Sequence, residues 1–572
     1  DIKIPYVDGL KFNALFSYVR GANHSKSFLT PYSLYLLGDD GSVANERIFG
    51  KTSLSEEMYI GHNMTSTLTL TYNKKIKGHS VSGLLVYEQF ESLGSTLGAS
   101  RTNFPFTSID QLFAGGDDEE QSNWGNPSQD ARKGFIGRFN YDYKGKYLAE
   151  FSFRYDGSLK FHPDRRWGFF PSVSLGWRLS EEAFMKKFSN LDNLKVRGSY
   201  GILGNDAVGG WQWLTNYSFG DAYIFNQTPI KSIVSGGIPN VDLTWEKTAT
   251  FNFGVDASIY KGLLSVEADV FYKRTYDILG SRNASMPQTF GATLPSENYG
   301  VVKVKGFELQ VKHDNKIGDF RYHVGGNVSW ARNKVVEKDY AAGAEPWNNP
   351  IGKTMGYRAC FVALGLFQSD EEAAAWPRFK GTQPTAGDVK YADLNNDGII
   401  DERDKKVVSP YSNTPEIMFG LNLSASWKGF DFSALFQGAA NRNVMLGGFA
   451  TQMFINGDAN LPRYLYEDRW TPDNRDARYP KAWGPDHPSN NKSSTFWLIN
   501  GNYVRLKNVE LGYSISKDIL SRVGVDRLRI YVGGSNLFSI DHMPGYDPEK
   551  QDGGPNYYPQ QKVFNMGVNI TF

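Results

Sequence analysis

The chain has 572 residues with 62 basic and 61 acidic side chains, and a net charge of +1 leaves no field that would draw nucleic acid or an acidic partner. Mean hydropathy is −0.45 and no stretch approaches the roughly 18 consecutive apolar residues of a membrane helix, so a bilayer could be crossed only by a barrel. Aromatic residues make up 15% of the chain, with 38 Phe, 32 Tyr and 13 Trp, an excess that suits aromatic girdles or carbohydrate-stacking loops.

In chain order, the first strand is predicted over Leu10 to Tyr18, after the turn-like Val7-Asp8-Gly9. Hairpins with a very short Gly-containing turn follow near Ile76-Lys77-Gly78, Lys144-Gly145, Lys261-Gly262, Lys316-Ile317-Gly318 and Lys428-Gly429. Around Lys261-Gly262, Phe251, Phe253, Val255, Ala257 and Ile259 alternate with polar or small residues, as do Leu264, Val266, Ala268, Val270 and Tyr272 after the turn. One face is apolar throughout, and the other carries Asp256, Glu267 and Asp269. Tyr147, Ala149, Phe151, Phe153 and Tyr155 likewise oppose Glu150, Ser152 and Arg154. Ile417, Phe419, Leu421, Leu423, Ala425 and Trp427 lead into Lys428-Gly429, and Phe430, Phe432, Ala434 and Phe436 leave it. The closing stretch repeats the pattern, with Phe564, Met566, Val568, Ile570 and Phe572 on one face. Such an apolar row running unprotected to the end of a chain must be closed by another strand or aggregate.

Long polar connections are expected over 91–133, 204–243, 335–415 and 438–500, alternating with the short turns. In an outer-membrane barrel short turns face the periplasm and long loops face outside. By that rule the chain holds about sixteen spanning strands, the first running upward and the last downward to leave Phe572 on the periplasmic side. The hairpin partner of the first strand is expected before Asp1. Soluble sandwiches and propellers also alternate, but their apolar face is the core. Here the opposite face carries acids and arginines on successive strands, and long loops occur only at alternate connections. The reading is an all-β, transmembrane antiparallel barrel in which Asp256, Glu267, Asp269 and Arg154 are wetted wall residues rather than substrate ligands.

Within the long extracellular region 334–414, the stretch from Asp393 to Asp404 places oxygen ligands at positions 1, 3, 5, 9 and 12, glycine at 6 and a backbone carbonyl at 7. That is the spacing of an EF-hand or dockerin-type loop, with Asp393, Asn395, Asp397, Ile399, Asp401 and Asp404 as ligands of a structural calcium ion. Position 12 is Asp404 rather than Glu, which shortens its reach; the alternative is an Asx-turn loop without an ion. Cys360 is the single cysteine and the eight histidines are scattered, so there is no disulfide or thiolate cluster to consider. Trp211, Trp213, Tyr217 and Tyr223, in a long loop, could stack on sugar rings or pack against another protein.

Several runs together resemble the SusC-like TonB-dependent outer-membrane transporters of Bacteroidetes. They are Arg154-Tyr155-Asp156-Gly157-Ser158, Phe170-Pro171-Ser172-Val173-Ser174-Leu175-Gly176-Trp177, Arg197-Gly198-Ser199-Tyr200-Gly201-Ile202-Leu203-Gly204-Asn205, Leu243-Thr244-Trp245-Glu246-Lys247-Thr248, Gly387-Asp388-Val389-Lys390-Tyr391, Tyr503-Val504-Arg505-Leu506-Lys507-Asn508 and Ser535-Asn536-Leu537-Phe538. They fall in family order over nearly the whole chain. The resemblance implies a 22-stranded barrel, of which about six strands, the N-terminal plug and the TonB box lie outside this sequence. No signal peptide is visible although an exported protein needs one, so the sequence reads as mature or cut. The resemblance also implies active uptake with a SusD-like surface lipoprotein as lid and the TonB complex pulling on the plug.

The leading function is therefore import of oligosaccharides, with oligopeptides as an alternative cargo. A passive porin or adhesin barrel without energy coupling is the reading from a second class. A surface enzyme is not expected, because no carboxylate pair stands out from the strand pattern and no Ser/His/Asp or metal-hydrolase signature is present.

Overall fold

The computed structural model describes residues 2–38, 40–116, 121–225, 228–292, 294–455, 460–484, 487–516, 520, 524–550, 552–553, 558 and 560–572. The protein is all-β. Among the described residues seventeen strands belong to antiparallel wall ladders; one is the two-residue Ile2–Lys3, which leaves sixteen long strands, as the turn-and-loop pattern predicts. The α-helices described are the short Asp370–Ala375 and Arg463–Glu467, and no helix is long and apolar enough to cross a membrane. The chain divides into two compact units, one of Asp1–Lys144, Ala149–Val173 and Leu203–Trp245, the other of Gly145–Leu148, Ser174–Ile202 and Glu246–Phe572.

In the first unit, Leu10–Leu29 pairs with Ser53–Ile76, which pairs with His79–Thr102, which pairs with Gln121–Tyr143. Ile2 stands opposite Phe12 and Lys3 opposite Lys11, so two residues of the partner expected before Asp1 lie within the chain. The His79–Thr102 and Gln121–Tyr143 strands overturn the long polar connection expected over 91–133, because both ladders continue well past the membrane-spanning length. Their outer parts are small and polar (Ser92, Gly94, Ser95, Thr96, Gly98, Ser100) and read as loop because a strand standing in water needs no apolar face. The strand of 24 residues is more than twice the 9–11 that cross a hydrocarbon core. Two small hairpins, Tyr32–Leu37 with Val43–Phe49 and Tyr217–Phe225 with Thr228–Ser235, fold within stretches that lack a wall pattern.

In the second unit, nine strands follow one another by antiparallel pairing: Glu246–Ile259, Leu264–Gly280, Glu297–Ile317, Phe320–Glu337, Ile417–Trp427, Phe430–Ala440, Tyr503–Ser514, Arg527–Ile540 and Val563–Thr571. Register carries the apolar face from strand to strand. Val324 stands opposite Leu423, and Leu423 opposite Ala434. Further along, Phe432 stands opposite Leu511, Leu511 opposite Val532, and Val532 opposite Met566. Most of the large side chains of this face are exposed, Met566 at 86%, while the small Ala434 is covered by its neighbours, which suits a lipid-facing wall rather than a core. The wall strand through Phe320 runs on to Glu337, three residues into the region expected as loop.

The turns follow the sequence. Lys428 and Gly429 have φ of 45° and 91°, and a Cβ at Gly429 would meet the Ser514 carbonyl oxygen at 2.7 Å. Two consecutive residues at positive φ give the hairpin twist that matches the strands. On the polar face, the Arg197 guanidinium donates to both Asp269 carboxylate oxygens at 2.6 Å and to Asp256 at 3.1 Å. Arg529 joins Asp431 and Glu510 in the same way. Asp256 and Asp269 are thus tied into the wall, and Glu267 lies 3.9 Å from Lys312. In the first unit Arg154 pairs with Asp156 at 2.8 Å.

A charge placed mid-wall on the apolar face should separate the two faces. Leu423→Arg is expected to destabilise the folded barrel by about 2–4 kcal/mol, and Ser424→Arg on the opposite face by less than about 1 kcal/mol. Urea titration in lipid vesicles, read by the heat-dependent gel mobility of the barrel, checks the difference.

Candidate functional site

Between the Phe320–Glu337 and Ile417–Trp427 wall strands the chain builds a small folded loop region. Arg358–Phe361 pairs with Lys405–Ser409, Ala363–Leu366 with Val389–Tyr391, and Arg378–Phe379 runs parallel to Ile399–Ile400. Phe361, Val389, Tyr391 and Ile400 are buried together, with Phe379 and Phe496 packed against them. The helix Asp370–Ala375 starts where Ser369 accepts from the Glu372 backbone N–H and Glu372 reaches back to the Gln368 N–H. A second cluster, including Val444, Leu446, Leu465, Tyr479, Trp497 and Met543, is drawn from the two later loops.

A buried carboxylate ties these segments together. Asp388 is fully buried and accepts from Trp483 Nε1 at 2.7 Å, Asn490 Nδ2 at 3.0 Å and the Thr385 backbone N–H at 2.8 Å. Lys481 Nζ lies 3.8 Å away and His487 Nε2 3.5 Å away. Backbone N–H groups of Asn490 and Ser489 donate to His487 Nδ1, which leaves the ring proton on Nε2, facing the carboxylate. Burial lowers the His487 imidazole pKa below its ordinary value, against the pull of Asp388. The neighbouring Gly387 has φ of 86°, and a Cβ there would come within 2.6 Å of Trp470. The run Gly387-Asp388-Val389-Lys390-Tyr391 thus owes its form to structure. Its sequence alone gives Asp388 no role, because Trp483 and Asn490 lie about a hundred residues on.

Three arginines fasten the last long loop in the same manner. Arg358 donates to both carboxylate oxygens of Asp552, at 2.7 and 2.8 Å. Arg505 bonds Asp547 at 2.8 Å and Glu549 at 2.7 Å, and Arg442 donates to the carbonyls of Asn413, Pro548 and Lys550.

The twelve-residue loop is held by a succession of side-chain-to-backbone hydrogen bonds. Asp393 accepts from the N–H groups of Asn396 and Gly398, Asn395 from Asp397, and Asp397 from Ile399. Asn396 and Gly398 take the positive φ values, 60° and 83°, that the turns demand. Ile400, at position 8, is buried and anchors the loop, while the Ile399 side chain is exposed. Asp404 is fully buried and its two oxygens accept from the backbone N–H groups of Leu394 and Asp401 at 2.8 Å each. The Arg403 guanidinium sits among the acids, 2.5 Å from Asp397 and 2.7 Å from Asp401, and its hydrogen bonds hold the Asp401 carboxyl below the ordinary carboxylate range. Arg403, at position 11, thus competes with a cation for these acids, which the ligand spacing does not reveal. Among the described residues no three His, Cys, Asp or Glu side chains converge as a metal-binding group.

The aromatic candidates separate. Trp211 and Trp213 are half-buried with ring centroids 6.1 Å apart, and Trp213 meets the His162 ring edge-on at 5.3 Å. Tyr217 opens the exposed Tyr217–Phe225 hairpin beside Phe219, with no ring contact to the tryptophans among the described residues. Tyr223 stands opposite Ile230 in that hairpin, and its side chain lies outside the described residues.

A wall that is apolar on one face, ion-paired on the other and crowned by folded loops defines an outer-membrane β-barrel of the receptor type. The comparisons with known proteins agree. The family model described as TonB dependent receptor-like, beta-barrel matches residues 5–537, and the chain belongs to that family. TonB-dependent receptor P3 of Formosa agariphila is 26% identical over 99% of this chain and 57% of its own length. TonB-dependent receptor SusC of Bacteroides thetaiotaomicron is 26% identical over 77% of this chain and 43% of its own length. The chain spans about half the length of these curated relatives. The structure of the RagAB peptide transporter superposes with a TM-score of 0.78 at 22% identity, covering 100% of this chain and 61% of that one. The chain is thus the β-barrel part of a TonB-dependent receptor-like outer-membrane protein, a family of receptors and transporters rather than enzymes.

Removing the buried carboxylate should unfasten the loops. Asp388→Ala, which leaves the Trp483, Asn490 and Thr385 donors unpaired, is expected to cost the loop region about 3–5 kcal/mol. Hydrogen exchange at residues 385–391 and 487–499 checks this, with the wall strands unchanged.

Proposed function

We propose that this chain is the wall of a TonB-dependent importer that carries oligomeric nutrients, oligosaccharides first, across the outer membrane beneath a SusD-like surface lipoprotein. The TonB complex acts through the family's N-terminal plug. The observation that carries the reading is the family match over residues 5–537, supported by the likeness to a relative named SusC. The inward ion pairs of Arg197 and Arg529 suit a wall that is wetted and holds a plug. For the cargo, the adjoining Trp211 and Trp213 rings suit stacking on sugar faces, and Tyr217 and Tyr223 are proposed as further stacking residues from their place in the sequence. Oligopeptide is the second reading, favoured by the likeness of fold to the RagAB peptide transporter.

The Asp393–Asp404 loop is proposed to hold a structural calcium ion through Asp393, Asn395, Asp397, the Ile399 carbonyl, Asp401 and Asp404. The Asx turns and left-handed positions support the fit; the ion would displace Arg403 from Asp397 and Asp401. Bound there, calcium would stiffen the loop.

Two measurements test these readings. Copurification from outer membranes should recover a surface lipoprotein, the complex should bind glycans in preference to peptides on a mixed panel, and uptake should stop when TonB is deleted. A barrel without a lipoprotein, or uptake that persists without TonB, contradicts the importer; peptide binding alone moves the cargo to the second reading. For the loop, Arg403→Ala should tighten calcium binding by roughly tenfold in calorimetry, and no binding heat in either form rejects the ion.

A further inference from the structure

The outward face of the Phe320–Glu337 strand reads Phe320, Tyr322, Val324, Gly326, Val328, Trp330 and then Arg332 and Lys334. From Phe320 to Trp330 is about ten residues, the length of a tilted strand across the hydrocarbon core. Trp330 stands opposite Phe307, with ring centroids 6.0 Å apart, and marks the aromatic rim on the side of the long loops. Just beyond that rim the register places Lys305 opposite Arg332 and Lys303 opposite Lys334. On the other side of Lys303 stands Arg274.

Like charges directly opposite one another repel, so two successive cationic pairs weaken the sheet unless an anion lies between them. Glu416 neutralises Arg332 alone among these cations, and the other nearby acids are engaged elsewhere. Glu416 takes Arg332 through two 2.7 Å bonds, Asp277 takes Lys247 at 3.0 Å, and Glu297 and Glu337 lie against Arg282. Lys303, Lys305 and Lys334 pair with no carboxylate among the described residues, and no acid is among the residues lining the cleft they enclose. That cleft, about 560 Å³, is roofed by Lys353, Thr354, Tyr357 and Pro410 of the loop region. Lys353 is a fifth cation at its edge, donating to the carbonyls of Pro346 and Asn349.

We propose that this cleft binds the phosphate headgroup of a lipid in the outer leaflet, its acyl chains lying along the apolar wall below Phe307 and Trp330. A lipid is favoured over a free anion because the cations continue the lipid-facing row, whereas cargo would meet the opposite face. Basic clusters at a membrane rim recognise anionic headgroups in this way, each lysine contributing about fivefold in affinity. A lipid held there would be bound whatever the cargo.

The test uses the intact protein extracted from its outer membrane in mild detergent, with retained phosphorus-bearing lipid counted per barrel by mass spectrometry. Lys303→Ser/Lys305→Ser/Lys334→Ser should retain at least about tenfold less than wild type, while Lys312→Ser, on the inward face, retains the wild-type amount. Adding back phosphorylated lipid should raise the thermal midpoint of wild type, and the same lipid stripped of phosphate should not. Millimolar inorganic phosphate should leave the retained lipid in place. Equal retention by the triple variant, equal stabilisation by dephosphorylated lipid, or displacement by inorganic phosphate would each overturn the proposal. Should the triple variant fold poorly, the single Lys334→Gln exchange, expected to lose about fivefold, decides the matter by the same count.

Discussion

In hydrocarbon no water is at hand to satisfy a backbone N–H or C=O, so every such group in the wall must find its partner on a neighbouring strand. The structure rests on this constraint. It explains why the second unit is an unbroken succession of antiparallel ladders from Glu246 to Thr571, and why register is held so strictly. A slip of one residue would turn Leu423 and Ala434 toward water and Ser424 and Ser433 toward lipid. Once register is fixed, the two faces follow without further instruction: aliphatic and aromatic side chains outward, and arginine-centred ion pairs such as Arg197 with Asp256 and Asp269 inward.

Outside the membrane the chain is free of that constraint and stabilises itself by other means. The loops fold on two small apolar clusters, and polar pins bridge their remote segments: Asp388 to Trp483 and Asn490, Arg358 to Asp552, Arg505 to Asp547 and Glu549. The buried Asp388 carboxylate gains its strength from complete hydrogen bonding in a low-dielectric setting, which makes it sensitive to loss of any one partner. The loops above the wall therefore have a defined shape.

How much of this the sequence reveals varies with the range of the interaction. The wall hairpins were legible because each face repeats every second residue and each Lys-Gly turn is local, as at Lys428-Gly429. The outer halves of the strands were not, since Ser92 to Ser100 carry no apolar alternation once the strand has left the bilayer. The backbone of the Asp393–Asp404 loop was legible from its Asx spacing, yet the position of the Arg403 side chain among the acids was not. Asp388 was visible within a motif but its purpose was hidden, because its partners come from another loop. The basic pairs beyond Trp330 emerge only when register sets Lys303 beside Lys334.

The central claim is that the alternating faces of these strands divide lipid from water. It is tested most directly by spin labels placed one at a time from Ile417 to Trp427 in the intact protein in lipid nanodiscs. The native Cys360 does not interfere, since it is buried and burial pushes its thiol up to about 11. Labels at Ile417, Phe419, Leu421, Leu423 and Ala425 should collide with oxygen dissolved in the bilayer, and those at Met418, Gly420, Asn422 and Ser424 with a water-soluble nickel relaxant. A profile without period two, or one with the two sets exchanged, would contradict the account.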